Sequence, residues 1–295
     1  MKYSTEDIEK IIYRYLPEES GYPIKVIQAM NYAFMAGGKR LRPMMMKLCF
    51  DMFKKEDNEE LIGPFMAAIE MIHTYSLIHD DLPALDNDEL RRGKPTVHVK
   101  FGEDIAILAG DGLLNYAFSV AAQAFSVKPG DVNVEKAFAV LASKPGIYGM
   151  IGGQTLDVIK SGSPLTDEEI EYIYINKTSA LIECAMTIGA LLGGASGDEV
   201  DKIGQVARAV GMAFQVQDDI LDIVGDEKAL GKPVLSDEKN EKYTYVTIHG
   251  MEKSRQYVNN MSDKANNILI ELNVTDNNAK ESLINLITQL IDRDR

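Results

Sequence analysis

Apolar residues recur at the three-and-four spacing of one helical face through most of this chain, as in Ile8, Ile11, Ile12 and Tyr15 and again in Val200, Ile203, Val206 and Val210. Strand-like alternation is scarce. Helix starts are marked by a Ser or Thr followed three residues later by an acid: Ser4 with Asp7, Thr166 with Glu169 and Ser196 with Glu199. Pro23 and Pro43 suit first helical turns, and Pro64 lies near the start of a long run continuing through Ile78. Turns are expected at Lys128-Pro129-Gly130, from Ser161 to Pro164 and from Gly193 to Gly197, all too short to be interdomain linkers. The pattern predicts an all-α fold, one domain over residues 1–295, built as a bundle of about ten helices.

Composition narrows the function classes. Apolar residues make up 45% and charged residues 26% of the 295, ordinary values for a globular chain with a sizeable core. Asp plus Glu number 45 against 31 Lys plus Arg, a net charge of −14 that repels nucleic acid and anionic membrane surfaces. The chain begins MKYSTEDIEK, without a basic start and apolar core, so the cytoplasm is the expected location. The most apolar stretch, Ser179 to Ala195, is interrupted by Glu183 and falls short of the roughly 20 residues of a membrane span, so a buried helix is expected there and no integral membrane segment. Cys49 and Cys184 have no metal-like spacing and sit in apolar sequence, as reduced core residues would.

Two acidic clusters carry the chemistry. His79-Asp80-Asp81-Leu82-Pro83-Ala84-Leu85-Asp86-Asn87-Asp88 follows directly on an apolar helical run. An isolated Asp-Asp pair is usually a solvated loop, but carboxylates at a helix C-terminus oppose its dipole. Clustered carboxylates become favourable around a divalent cation, and magnesium shared with a substrate phosphate suits such hard oxygen ligands. The second cluster, Gln217-Asp218-Asp219-Ile220-Leu221-Asp222, lies inside an apolar stretch, where Asp218 and Asp222 share a helix face and repel. Facing each other across a cavity, the two clusters would hold several metal ions.

A diphosphate bound there also needs cations. Gly37-Gly38-Lys39-Arg40-Leu41-Arg42-Pro43 combines glycines, which admit close backbone approach, with forked and point charges. Arg91-Arg92-Gly93 follows the first cluster closely enough to fold back beside it. Lys177-Thr178 falls mid-helix, where a lysine commonly snorkels to solvent, and Lys232 and Lys242 lie in a polar stretch suited to a lid. His73 precedes the first cluster on the same helical run, a position that by itself suits a packed core histidine. His98 and His249 have no partner pattern. No nucleophilic triad or P-loop is visible, and Gly152-Gly153 reads as close helix packing rather than a nucleotide loop.

In this order the segments GGKRLRP, EMIHTYSLIHDDLPALDNDELRRGKPTVH, GGQTLDV, NKTSALI, FQVQDDILDIVGD and GKPVLSDEKNEKYTYV resemble the short-chain trans-isoprenyl diphosphate synthases of the polyprenyl synthetase family, most of all the bacterial farnesyl diphosphate synthases. The resemblance implies a helical bundle around a central cavity, a homodimer, and three magnesium ions, with manganese as the alternative, bridging both clusters to an allylic diphosphate. It implies Asp80, Asp86 and Asp218 as metal ligands, supported by Asp81, Asp219 and Asp222. It implies Arg91, Lys177, Thr178, Gln215, Lys232 and Lys242 on the allylic diphosphate, and Lys39, Arg42, His73 and Arg92 on isopentenyl diphosphate. Lys177, Thr178 and Gln215 would act near the carbon that becomes cationic.

Product length is expected to follow from Tyr75 and Ser76, just ahead of the first cluster. An aromatic side chain five positions before Asp80 blocks a growing tail early and resembles the arrangement of synthases stopping at farnesyl diphosphate. Leu235 and Tyr243 depart from the small residues common in the family's lid, and Ile291 to Arg295 offers a basic tip beside the site or a frayed end. The rival readings are a geranylgeranyl diphosphate synthase, a terpene cyclase, and a non-catalytic subunit that kept the fold. A cyclase would lack the Lys39 and Arg42 pair, and a non-catalytic subunit would be expected to lose acidic ligands.

Overall fold

The computed structural model describes residues 2–224 and 243–291. Among these, fifteen α-helices are joined by turns, with a single two-stranded hairpin. The count exceeds the expected ten because short helical turns punctuate the long elements.

Helices α3 (Leu41–Phe53), α4 (Glu59–Asp80) and α11 (Ala180–Gly193) form the centre. They are apolar on nearly every face, the signature of helices surrounded by others. Around them lie α1 (Thr5–Ile12), α2 (Ile24–Phe34), α6 (Glu103–Ala121), α8 (Val132–Ser143), α9 (Met150–Ile159) and α12 (Gly197–Val224). From residue 243 onward, α13 (Tyr245–His249), α14 (Met251–Glu271) and α15 (Asn277–Ile291) continue the wall, α14 along α12 and α15 against α3. The short α5 (Val97–Phe101), α7 (Ala124–Val127) and α10 (Asp167–Ile173) link these elements.

The local signals act where expected. Ser4, Thr166 and Ser196 each cap a helix reciprocally with Asp7, Glu169 and Glu199. Pro23 caps α2 and Pro43 lies in the first turn of α3, while Pro64 sits inside α4. The three predicted turns fall between α7 and α8, α9 and α10, and α11 and α12.

Two buried carboxylates of the core, Glu183 and Asp51, are paired with cations. Glu183, which breaks the most apolar run, is held by Arg208 at 3.0 Å and Lys144 at 2.7 Å. Asp51 is fully buried on α3 and collects Lys2, Lys47 and Lys54 within 2.9 Å, while Tyr3 donates to it. Cys49 and Cys184 are buried and free, and burial raises both thiol pKa values.

Among the described residues, two helical stretches other than Ser179 to Ala195 have the length and apolarity of a membrane span. They are Glu59–Asp80, 83% of whose apolar window is buried by protein, and Glu103–Val127, only 39% buried. The first is the core helix α4. The second leaves Ile107 and Leu108 about half exposed on α6.

Candidate active site

The first acidic cluster begins at the last residue of α4. After Asp80 the chain turns back tightly: Leu85 N–H donates to the Leu82 carbonyl, Asn87 N–H to the same carbonyl, and Asp86 N–H to the Asp80 carbonyl at 2.9 Å. Asn87 takes a left-handed backbone, φ 53°, as short polar residues tolerate. The turn sets Asp86 beside Asp80. Burial, reinforced by the charges of Asp86 and Asp81 and opposed by Lys177 and Arg91, raises the Asp80 pKa to about 6.

The chain then forms the hairpin, β1 (Leu90–Arg91) with β2 (Lys94–Pro95), whose turn residues Arg92 and Gly93 both have positive φ. Such turns match strand twist. This one aims its two arginines apart. Arg91 grips Asp81 bidentately, Nε to Oδ1 at 2.7 Å and to Oδ2 at 2.9 Å. Burial nonetheless leaves the Asp81 carboxyl above its ordinary pKa. Arg92 lies over Gly38 and donates to the Gly37 carbonyl, so Gly38 admits a guanidinium where a side chain would stand.

Arg40, unassigned by sequence reasoning, anchors that basic loop. It is buried with a left-handed backbone, φ 49°, and donates to Glu9, Glu70, Tyr13 and the Phe34 carbonyl. Lys39 beside it is exposed. Arg42 lines the main cavity, and its Nε is buried without a partner. His73 lines the same cavity. Burial, and then the positive charges of Arg42, Arg92, Arg91 and Arg40, hold its pKa well below the usual histidine value, so it is neutral.

That cavity, about 640 Å³, runs between α4, α6, α9 and α11. Asp80, Asp111, Lys177, Thr178, Arg42 and His73 are among its polar residues, and Leu114, Met150, Val158 and Leu181 are among its apolar ones. Tyr75 and Ser76 also line it. Tyr75 is only 6% exposed, its hydroxyl is unpartnered, and its ring meets His79 edge-on at 5.8 Å.

Lys177 and Thr178 lie in a π-helical turn, Tyr174–Ser179, between α10 and α11. Wider turns of this kind recur at functional sites. Close neighbours hold this one on both sides: a Cβ on Gly153 of α9 would stand 2.3 Å from the Lys177 nitrogen, and one on Gly211 of α12 2.2 Å from Ser179 Oγ. Gly153 thus marks close packing, as read from the sequence. Lys177 does not snorkel; its Nζ meets Asp157 Oδ2 at 2.6 Å. Burial works against its charge, but Asp157, and beyond it Asp80 and Asp86, outweigh burial and raise its pKa.

Thr178 connects the cavity to the second cluster. Its hydroxyl donates to Gln215 Oε1 at 2.7 Å, and Gln215 Nε2 donates to Asp219 Oδ1 at 3.3 Å. Tyr174 donates to the other Asp219 oxygen, which also accepts from the Tyr245 N–H at 3.3 Å. Asp219 and Asp222 are buried and Asp218 is partly exposed on α12. Lys232, Lys242 and Leu235 lie outside the described residues, as does the chain after Ile291. Two groups went unassigned in the sequence, Gln154, which donates to Asp80 Oδ1 at 3.0 Å, and Asp157. The Gln-x-x-Asp spacing after Gly152-Gly153 was the signal available.

Residues 24–286 match the family model described as Polyprenyl synthetase. Among similar proteins, the farnesyl diphosphate synthase of Escherichia coli (strain K12) is 44% identical over 90% of this chain and 89% of its own. The heterodimeric geranylgeranyl pyrophosphate synthase large subunit 1 of Arabidopsis thaliana, a chloroplastic protein, is 44% identical over 84% of this chain and 67% of its own. A solved geranyltransferase from Helicobacter pylori, complexed with magnesium and isoprenyl diphosphate, superposes with a TM-score of 0.83 at 29% identity, covering 98% of each chain. With matches of this extent in both sequence and fold, the chain belongs to the polyprenyl synthetase family and is a prenyltransferase.

Proposed function

We propose that this chain condenses dimethylallyl or geranyl diphosphate with isopentenyl diphosphate and releases farnesyl diphosphate. The observation that carries this reading is the cavity, lined by the carboxylates Asp80 and Asp111, the cations Arg42 and Lys177, and apolar side chains together with Tyr75. A farnesyl and a geranylgeranyl synthase match the chain equally, at 44% identity, so the fifteen-carbon product rests on Tyr75.

Magnesium fits the acidic residues. Among the described residues no three carboxylate or histidine groups form a closed metal cage, and magnesium is commonly held by one or two carboxylates with substrate phosphates and water completing its shell. Asp80, Asp86 and Asp218 would hold it, with three ions expected. When bound, the metal draws charge from the leaving diphosphate and so assists ionisation of the allylic carbon–oxygen bond.

The side chains do the rest. Lys177 and Arg91 neutralise the departing diphosphate. Arg42, with its unpaired Nε, neutral His73, Arg92 and Lys39 grip isopentenyl diphosphate without metal. The Thr178 hydroxyl donates its hydrogen bond to Gln215 Oε1, leaving lone pairs on its own oxygen to stabilise the developing allylic cation. The double bond of isopentenyl diphosphate then forms the new carbon–carbon bond, and the released diphosphate takes the proton, so no protein base is required. The apolar walls exclude water from the cation. Lys232 and Lys242 would complete closure. The half-exposed apolar residues of α6 support a homodimer.

The test is incubation with magnesium, dimethylallyl diphosphate and isopentenyl diphosphate, followed by chain-length analysis. A fifteen-carbon product is expected, and absence of condensation would sink the reading. Tyr75→Ala is expected to shift products to twenty carbons or beyond; an unchanged distribution would remove Tyr75 as the stop.

A further inference from the structure

Gln154 and Asp157 stand three residues apart on α9, and each holds a group of the site. Gln154 Nε2 donates to Asp80 Oδ1 at 3.0 Å, and Asp157 Oδ2 accepts from Lys177 Nζ at 2.6 Å. An ionised carboxylate only accepts hydrogen bonds, so the amide nitrogen of Gln154 faces Asp80 and its carbonyl faces elsewhere. That carbonyl, Oε1, is buried without a partner, on a residue that lines the cavity. A buried acceptor left unpaired is costly, so the working state should supply a donor.

The chemistry of the site limits what that donor is. A fully ionised diphosphate has oxygen acceptors and no donor of its own. Of the three N–H donors of the Lys177 ammonium one goes to Asp157, and in the proposed reaction the others turn to the diphosphate. Magnesium held by one or two carboxylates and a diphosphate retains several waters, each of them a donor. Resting on the metal-assisted reading above, we infer that Gln154 is a positioning residue for the metal. Its amide engages Asp80 through Oδ1 and leaves Oδ2 for coordination, and its carbonyl accepts a hydrogen bond from a metal-bound water. Outer partners of this kind commonly change metal affinity 10- to 100-fold.

The experiment titrates Mn²⁺ into the full-length protein with inorganic diphosphate, read by electron paramagnetic resonance. Gln154→Met keeps the side chain's length and removes both polar atoms. It is expected to weaken Mn²⁺ binding about tenfold or more and to raise the Mg²⁺ needed for half-maximal turnover by a similar factor. The KM for isopentenyl diphosphate and the helical circular dichroism should be unchanged. Gln154→Asn retracts the amide by one methylene and serves as the second variant, with the same direction of effect. Wild-type Mn²⁺ affinity in either folded variant would overturn the assignment. Failure of the wild-type protein to bind Mn²⁺ with diphosphate would instead overturn the metal-assisted reading beneath it.

Discussion

At Asp80 burial and crowding act against charge. Its carboxyl titrates near pH 6 in the folded protein, above the roughly 3.9 of an unfolded aspartate. The folded state therefore binds more protons than the unfolded one between these values, and stability falls as pH rises from about 4 to about 6. Asp80→Asn should flatten that limb in thermal melts of substrate-free protein and raise the melting temperature at pH 7 by a few degrees. The same variant should lose turnover by about 10²-fold or more, since an amide is a poor magnesium ligand. A lower melting temperature would show that Asp80 stabilises the free protein. The carboxylates were legible here because two acidic clusters in one order are distinctive. The orphan Arg42 Nε and Tyr75 hydroxyl were not, because partnership depends on neighbours distant in sequence.

The elements decide how those residues meet. The Asp80 turn and the Arg92-Gly93 hairpin are local, and their residues sit close together in the chain. The π turn is different. Asn176-Lys177-Thr178 reads as ordinary helix interior, and its departure becomes visible only where Gly153 and Gly211 admit neighbouring elements on either side. Gly153→Ala should force the Lys177 backbone away from α9, costing about 1–3 kcal/mol by overpacking. Urea melts and steady-state kinetics should show lost stability together with reduced kcat. Wild-type kcat at reduced stability would separate the packing from Lys177 placement.

Over the whole molecule, two features involve residues that do not line the cavity. Asp51 ties the N-terminal segment to α3 through Lys2 and Tyr3, is paired within its own helix end by Lys47 and Lys54, and Lys2 also reaches Asp276 just before α15. Burial alone would raise its pKa, but those lysines and Tyr3 outweigh it and lower the pKa well below normal. Its contribution is thus present above about pH 4, the ordinary carboxylate range, and lost on acidification. Asp51→Ala should cost about 3 kcal/mol in urea melts at pH 7, with a smaller loss at pH 3. On the exposed side of α6, Leu108→Glu should give monomers in sedimentation if this face joins two copies, and an unchanged sedimentation coefficient would place the contact elsewhere.

The sequence by itself determined the helices, their caps and breaks, the two acidic clusters and the family they resemble. Each is written in neighbouring residues through periodicity, capping chemistry and motif order. Only the tertiary structure decided that Arg91 pairs with Asp81, that Lys177 turns inward to Asp157, and that Gln154 reaches Asp80. Those pairings join separate elements, and their energies depend on burial and distance, which the linear order of residues does not contain.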